Sequence, residues 1–165
     1  MRLLLGHDAD VAAWVAAHIP QMQDSLGFGP CAAIGVLDAK GAPMGGVVFH
    51  NYQPTFRTID LSGAAVSARW LTRRIVHDIL AYPFEQLDCL RISSITAKRN
   101  HQARAVLEKL GFRREGGHRL GFGVYGDAIS YGLLQREWRA GRFGSVVSPA
   151  LTAPGAPLPS LAEAR

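Results

Sequence analysis

The chain has 165 residues, 48% of them apolar and 19% charged, which is enough apolar material for one buried core and excludes a disordered or fibrous chain. No apolar run approaches the length of a membrane span, and the opening Met1-Arg2-Leu3-Leu4-Leu5-Gly6-His7-Asp8 is too short for a signal peptide, so the expectation is a soluble, cytoplasmic protein with no membrane partner. The net charge is +5, and with three lysines (Lys40, Lys98, Lys109) among 18 basic residues it is carried by arginine, the side chain suited to bidentate phosphate contacts.

Val11, Trp14, Val15 and His18 fall at i, i+3, i+4 and i+7, which predicts a first helix, with Asp8 or Asp10 to cap it and Pro20 to end it. Cys31-Ala32-Ala33-Ile34-Gly35-Val36-Leu37-Asp38 and Met44-Gly45-Gly46-Val47-Val48-Phe49-His50, separated by Gly41 and Pro43, read as a hairpin. Thr58-Ile59-Asp60-Leu61-Ser62 reads as a third strand beside it. Helical spacing of Leu71, Ile75, Val76, Ile79 and Leu80 predicts a helix from Ala68 to a stop at Tyr82-Pro83.

Cys89-Leu90-Arg91-Ile92-Ser93-Ser94-Ile95-Thr96 follows as a strand. Ala103, Val106, Leu107 and Leu110 then mark a helix closed by Gly111. Strand, helix, strand, helix implies a crossover with parallel pairing. Two further strands are expected at Phe112 to Arg119 and Asp127 to Leu134. The fold class is α/β (α+β) with a central mixed sheet flanked by helices. Residues 1–139 form one domain, and 140–165, with Pro149, Pro154, Pro157 and Pro159, form a Pro/Gly/Ala-rich tail expected to be disordered.

Four constellations carry potential chemistry. At Ser67-Ala68-Arg69-Trp70-Leu71-Thr72-Arg73-Arg74 three arginines and a hydroxyl surround a strand-to-helix turn, whose free N–H groups and positive dipole suit a pyrophosphate; the competing reading is a solvated basic face. Lys98, Arg99 and Arg104, beside Asn100, extend the same electropositive edge, while Asn100 also fits an N-cap. Asp60 lies inside an apolar strand, where desolvation raises a carboxyl toward a usable base, although alternation with Ile59 and Leu61 points it outward. The six histidines are scattered without metal-ligand spacing, so no metal is expected, and His50 is the one best placed to face a cleft. Cys31 and Cys89 read as two reduced, buried thiols.

The fourth constellation is Leu107-Glu108-Lys109-Leu110-Gly111-Phe112, followed by Glu115-Gly116, Arg119, Gly126-Asp127 and Tyr131 through Trp138. Together with Asn100 and Ala103 it resembles the second half of a GNAT N-acyltransferase, in the branch that includes ribosomal-protein N-terminal acetyltransferases. The resemblance spans residues 90–138 clearly and 11–80 more weakly.

The resemblance implies a GNAT-like, mostly antiparallel sheet with a splayed parallel strand pair, and acetyl-CoA as the acyl donor. Arg69, Trp70, Leu71, Thr72, Arg73 and Arg74 would then hold the pyrophosphate. Asn100 and Arg104 would lie along the cofactor arm, and backbone around Leu61 and Ser62 would stabilise the thioester oxygen. The base would be Asp60 or His50; the acid, with Leu107 where many members carry Tyr, would be Tyr131, Tyr125, Ser94, a water or none. The family's glycine-containing phosphate loop is absent from this sequence. The implied activity is direct acetyl transfer to a primary amine, either a small molecule or a protein N-terminus. The rival is a catalytically silent CoA-binding or interaction module. Nucleic-acid binding ranks last, since no reading motif accompanies the charge. No pattern encodes oligomeric state, and a homodimer stays open.

Overall fold

A computed structural model of the chain describes residues 1–23 and 25–145. A seven-stranded sheet forms its centre, in the order β1 (Arg2–Leu4), β2 (Cys31–Leu37), β3 (Pro43–Gln53), β4 (Thr58–Ala65), β5 (Arg91–Ala97), β7 (Ala128–Leu134) and β6 (Arg113–His118). All neighbours are antiparallel except β4 and β5. Four helices complete the fold: α1 (Asp8–Ala17), α2 (Arg73–Ala81), α3 (His101–Leu110) and α4 (Gln135–Ala140). The expected mixed sheet with one parallel crossover is present.

Strand alternation sends two sets of apolar side chains to opposite faces, and each face recruits its own helices. Val11 and Val15 of α1 pack on Ala33 and Val48, with Ala64 beside them. On the other face Ile34, Val47, Phe49, Ile59, Leu61, Ile92, Ile129 and Tyr131 join α2, α3 and α4 in the main core. That core extends past Trp138 to Phe143, whose carbonyl accepts from the buried His77 Nδ1 at 2.7 Å. The chain therefore packs beyond the predicted boundary at 139; residues 146–165 of the predicted tail lie outside the described residues.

Three local expectations are revised. The first helix is not capped by an aspartate side chain: His7 stands at the N-cap, and Asp8 instead accepts from Ala33 N at 2.6 Å, covering an N–H that the short β1 leaves unpaired on β2. The second helix starts at Arg73, not Ala68, because Thr72 is its N-cap and accepts from Ile75 N at 3.3 Å. It does not stop at Pro83 either; one wider turn, Tyr82–Gln86, follows, since proline has no N–H to keep the α ladder. The edge strand β1 and the short α4 had no sequence prediction. Gly111, at φ +99°, closes α3 as expected.

Candidate functional site

The site originates in a failure of pairing. β4 and β5 run parallel through three rungs, Thr58 with Arg91, Ile59 with Ile92 and Asp60 with Ser93, and no further. β4 nevertheless continues to Ala65, held by β3, and β5 continues to Ala97, held by β7. The two strands diverge beyond Asp60 and Ser93, leaving a V-shaped gap. Alternate residues of each strand direct N–H and C=O groups into it.

At the open end, β4 leads through Val66–Leu71 into α2. Arg73 and Arg74 begin the helix, so their backbone N–H groups have no intrahelical acceptor and the dipole is positive there. Arg69, Thr72, Arg73 and Arg74 are exposed. Arg73 donates through Nε to the Arg142 carbonyl at 3.0 Å, and Arg74 Nε lies 3.9 Å from the buried Asp78 carboxylate. The turn is held without a glycine. Arg69 N donates to Ser67 Oγ at 3.3 Å, and Trp70 plugs the turn into the core, stacked over Gly45 so closely that a Cβ there would lie 2.6 Å from Trp70 Cδ2. The Trp70 side chain is thus a core anchor. Leu71 is half-buried against the same core, and the Leu61 side chain is buried in it.

At the apex, on the α1 face, lies a polar row. His50 pairs with Asp60 across β3 and β4, and His50 Nε2 is 3.0 Å from Ser62 Oγ. Burial pulls the His50 imidazole below its usual value, with Asp60 opposing, so it is neutral at pH 7. Phe28 lies against it, ring centroids 5.1 Å apart. Asp60 is half-buried rather than solvated. Its Oδ2 accepts from Asn51 Nδ2 at 2.9 Å, and Asn51 reaches it because a bulge after His50 puts its backbone at φ +50°, a conformation Asn tolerates.

Across the apex Ser93 Oγ accepts from Arg91 Nε at 3.0 Å, and the Arg91 guanidinium grips Glu115 of β6 through both nitrogens, NH1 at 2.8 Å from Oε1. The pair rests on Gly132, where a Cβ would come within 2.7 Å of Arg91 NH1. Asn51, Ser93, Arg91 and Glu115 were not singled out as site residues. Only the bulge and the strand order bring them in.

Tyr131 is not part of this row. It faces the opposite side of the sheet with Ile129 and Leu133, fully buried, and its hydroxyl donates to Glu108 Oε1 at 3.1 Å and accepts from Arg104 Nε at 3.3 Å. The predicted trio His50, Asp60 and Tyr131 is therefore split, two on one face and one on the other. Ser94, opposite Tyr131 in register, is buried on that second face as well. Arg104 also donates to the Lys98 carbonyl at 3.1 Å, so its guanidinium braces the β5–α3 turn. Asn100 caps α3, accepting from Ala103 N at 3.0 Å. Cys31 and Cys89 are free thiols, burial pushing Cys89 up to about 11. Among the described residues no group of His, Cys, Asp and Glu is arranged to hold a metal, and no helix is long and apolar enough to cross a membrane.

Comparison with known proteins agrees with this geometry. Residues 5–113 match the family model of the "Acetyltransferase (GNAT) domain". The protein named "Putative ribosomal N-acetyltransferase YdaF" of Bacillus subtilis (strain 168) is 30% identical over 105 residues, 59% of this chain and 57% of that protein. A solved "Probable acetyltransferase" is 28% identical over 66% of this chain and 64% of its own, with a TM-score of 0.58. This chain thus spans less than two thirds of either. Mutant forms of spermidine/spermine N-acetyltransferase SpeG from Vibrio cholerae share the fold at 21% identity, over 73% of this chain and 74% of theirs, with a TM-score of 0.61. The splayed parallel pair, the helix that follows it and the family match over 5–113 together make this chain a member of the GNAT acetyltransferase family.

Proposed function

We propose that the protein is an N-acetyltransferase that moves an acetyl group from acetyl-CoA to a primary amine by direct attack in a ternary complex. The observation that carries this reading is the gap between β4 and β5, open to backbone donors on both sides and flanked by the cationic start of α2 at one end and by His50 and Asp60 at the apex.

The residues fit the donor. Arg69, Arg73 and Arg74 with the first N–H groups of α2 would hold its pyrophosphate, and Asn100 lies at the mouth of the gap on the β5 side. When bound, acetyl-CoA supplies a thioester carbon to which the amine nitrogen bonds as the C–S bond breaks and the electron pair leaves on sulfur. Gap-facing N–H groups of β4 beyond Asp60 are placed to stabilise the oxygen as it becomes negative. An amine arrives protonated, with a pKa near 10, and must lose that proton. Asp60 attracts the ammonium. His50, neutral and with Nε2 engaged by Ser62, has Nδ1 to accept the proton directly or through water. A CoA thiolate needs no acid to leave, which suits a site where the Tyr131 hydroxyl lies behind the sheet.

The acceptor class follows the same reading: a small amine or a protein N-terminus, in a soluble, cytoplasmic setting, with self-association into a homodimer left to measurement. The test is release of free CoA thiol from acetyl-CoA across a panel of amines. Turnover that His50→Ala abolishes while acetyl-CoA still binds supports the assignment. Binding of acetyl-CoA without turnover of any amine refutes it in favour of a silent CoA-binding module.

A further inference from the structure

Helix α2, which opens the candidate donor site, is assembled against its own electrostatics. A helix start is the positive end of the dipole and favours acidic side chains, yet Arg73 and Arg74 stand there and no acid lies in the first turn. Arg74 and Asp78 form an i,i+4 pair with the cation on the N-terminal side, the less favourable of the two orders.

Asp78 is the second anomaly. Every residue of α2 from Ile75 to Ala81 is buried, and of these only His77 and Asp78 are polar or charged. His77 is satisfied, its Nδ1 meeting the Phe143 carbonyl at 2.7 Å. Asp78, 2% exposed, is not: its Oδ1 makes no hydrogen bond among the described residues, and the ion pair at Oδ2, to Arg74 Nε, is 3.9 Å long. A buried carboxylate held this loosely lowers stability, and an amide or apolar side chain of similar size is accommodated at less cost. Packing therefore does not account for an acid at position 78.

Its contact with Arg74 does. The Arg74 side chain is 58% exposed and is engaged through Nε, so its terminal nitrogens stay open at the helix end whose first N–H groups have no intrahelical acceptor. An arginine gives up rotamer freedom when it binds an anion, and one already leaning on a carboxylate gives up less.

We propose that Asp78 is a positioning residue of the donor site: it holds Arg74 at the start of α2 for the pyrophosphate of acetyl-CoA, at the expense of the stability of the free protein. This rests on the donor reading above, in which Arg74 and the first N–H groups of α2 receive that pyrophosphate. Asp78 is buried and acts through Arg74 alone. The bound anion completes the pattern, since it brings to the start of α2 the negative charge that the first turn lacks.

Asp78→Asn keeps the shape of the side chain and removes its charge. Charge alone predicts tighter binding of an anionic ligand, because a nearby negative group disappears, whereas positioning predicts weaker binding. Calorimetric titration with acetyl-CoA should show Kd rising about five- to tenfold, part of what one charge-assisted arginine contact contributes. The Tm of the free protein should rise at the same time. In an Arg74→Ala background the same substitution should change Kd by less than about twofold. Asp78→Leu, which removes the polar group altogether, should repeat both effects. The inference is overturned by an unchanged or lower Kd in Asp78→Asn, by a lower Tm in both Asp78 variants, or by an undiminished effect of Asp78→Asn in the Arg74→Ala background; each of these leaves the acetyltransferase reading standing. No binding of acetyl-CoA by the wild type overturns both.

Discussion

Replacing Gly45 by alanine tests whether the α2 turn is anchored from the core rather than by a glycine-rich loop. The added methyl would sit 2.6 Å from Trp70 Cδ2 and 3.1 Å from the Ala65 Cβ, so the indole must move. Overpacking of this kind costs about 1–3 kcal/mol. Removing a glycine from the unfolded chain returns about 0.4–1 kcal/mol. The expected net loss is about 1–2 kcal/mol, a fall in Tm of roughly 3–6 °C for a domain of this size. Because Trp70 closes the turn that presents Arg69 and Thr72, the same change should shrink the thermal shift produced by acetyl-CoA. Urea unfolding gives the stability, and melts with and without acetyl-CoA give the coupling. Trp70→Leu should make the losses less than additive by about 1 kcal/mol, since the methyl then has nothing rigid to meet. A Gly45→Ala protein as stable as wild type, with an unchanged acetyl-CoA shift, would refute the account of how this turn is built.

Acetyl-CoA at about 100 times its Kd should stabilise the native state by about 2.7 kcal/mol, and Arg69→Ala/Arg73→Ala/Arg74→Ala should remove most of that; an undiminished shift in the triple variant, read by differential scanning fluorimetry, would move the anion site elsewhere. Because His50 must be neutral to act and burial holds its pKa below the ordinary imidazole value, kcat/KM should rise with pH through an inflection below about 6.5 and then plateau, and His50→Gln should abolish that inflection. An inflection that persists in the variant assigns the base to another group. Tyr131→Phe removes a hydroxyl bonded to Glu108 and Arg104 behind the sheet, so it should cost about 1 kcal/mol of stability and leave the pH profile of kcat unchanged; a loss of kcat by two orders of magnitude would return Tyr131 to the chemistry.

Much of the architecture is a matter of local chemistry and so is legible in the chain. The α3 spacing between Asn100 and Gly111 needs only a cap at one end and a left-handed residue at the other. The hairpin of β2 and β3 is written in two apolar runs around Gly41 and Pro43, and the parallel β4–β5 crossover follows from strand–helix–strand order. The candidate donor site at Arg69 to Arg74 was legible for the same reason: a strand end, a helix start and three arginines are contiguous. Family resemblance added Asn100 and the expectation of a splayed pair.

What the sequence leaves open is decided by contacts between residues distant along the chain. Arg91 and Glu115 meet because β7 lies between β5 and β6 and carries a glycine beneath them, and no spacing of 24 residues announces that. Asn51 joins Asp60 only through a bulge, and Trp70 finds Gly45 only because β3 and β4 are paired. The same alternation that puts His50, Asp60 and Ser62 on one face sends Tyr131 to the other, where α3 covers it. Propensity and periodicity act over a few residues and define the elements. The face each side chain occupies relative to a shared gap depends on sheet order and register, and tertiary structure alone supplies those.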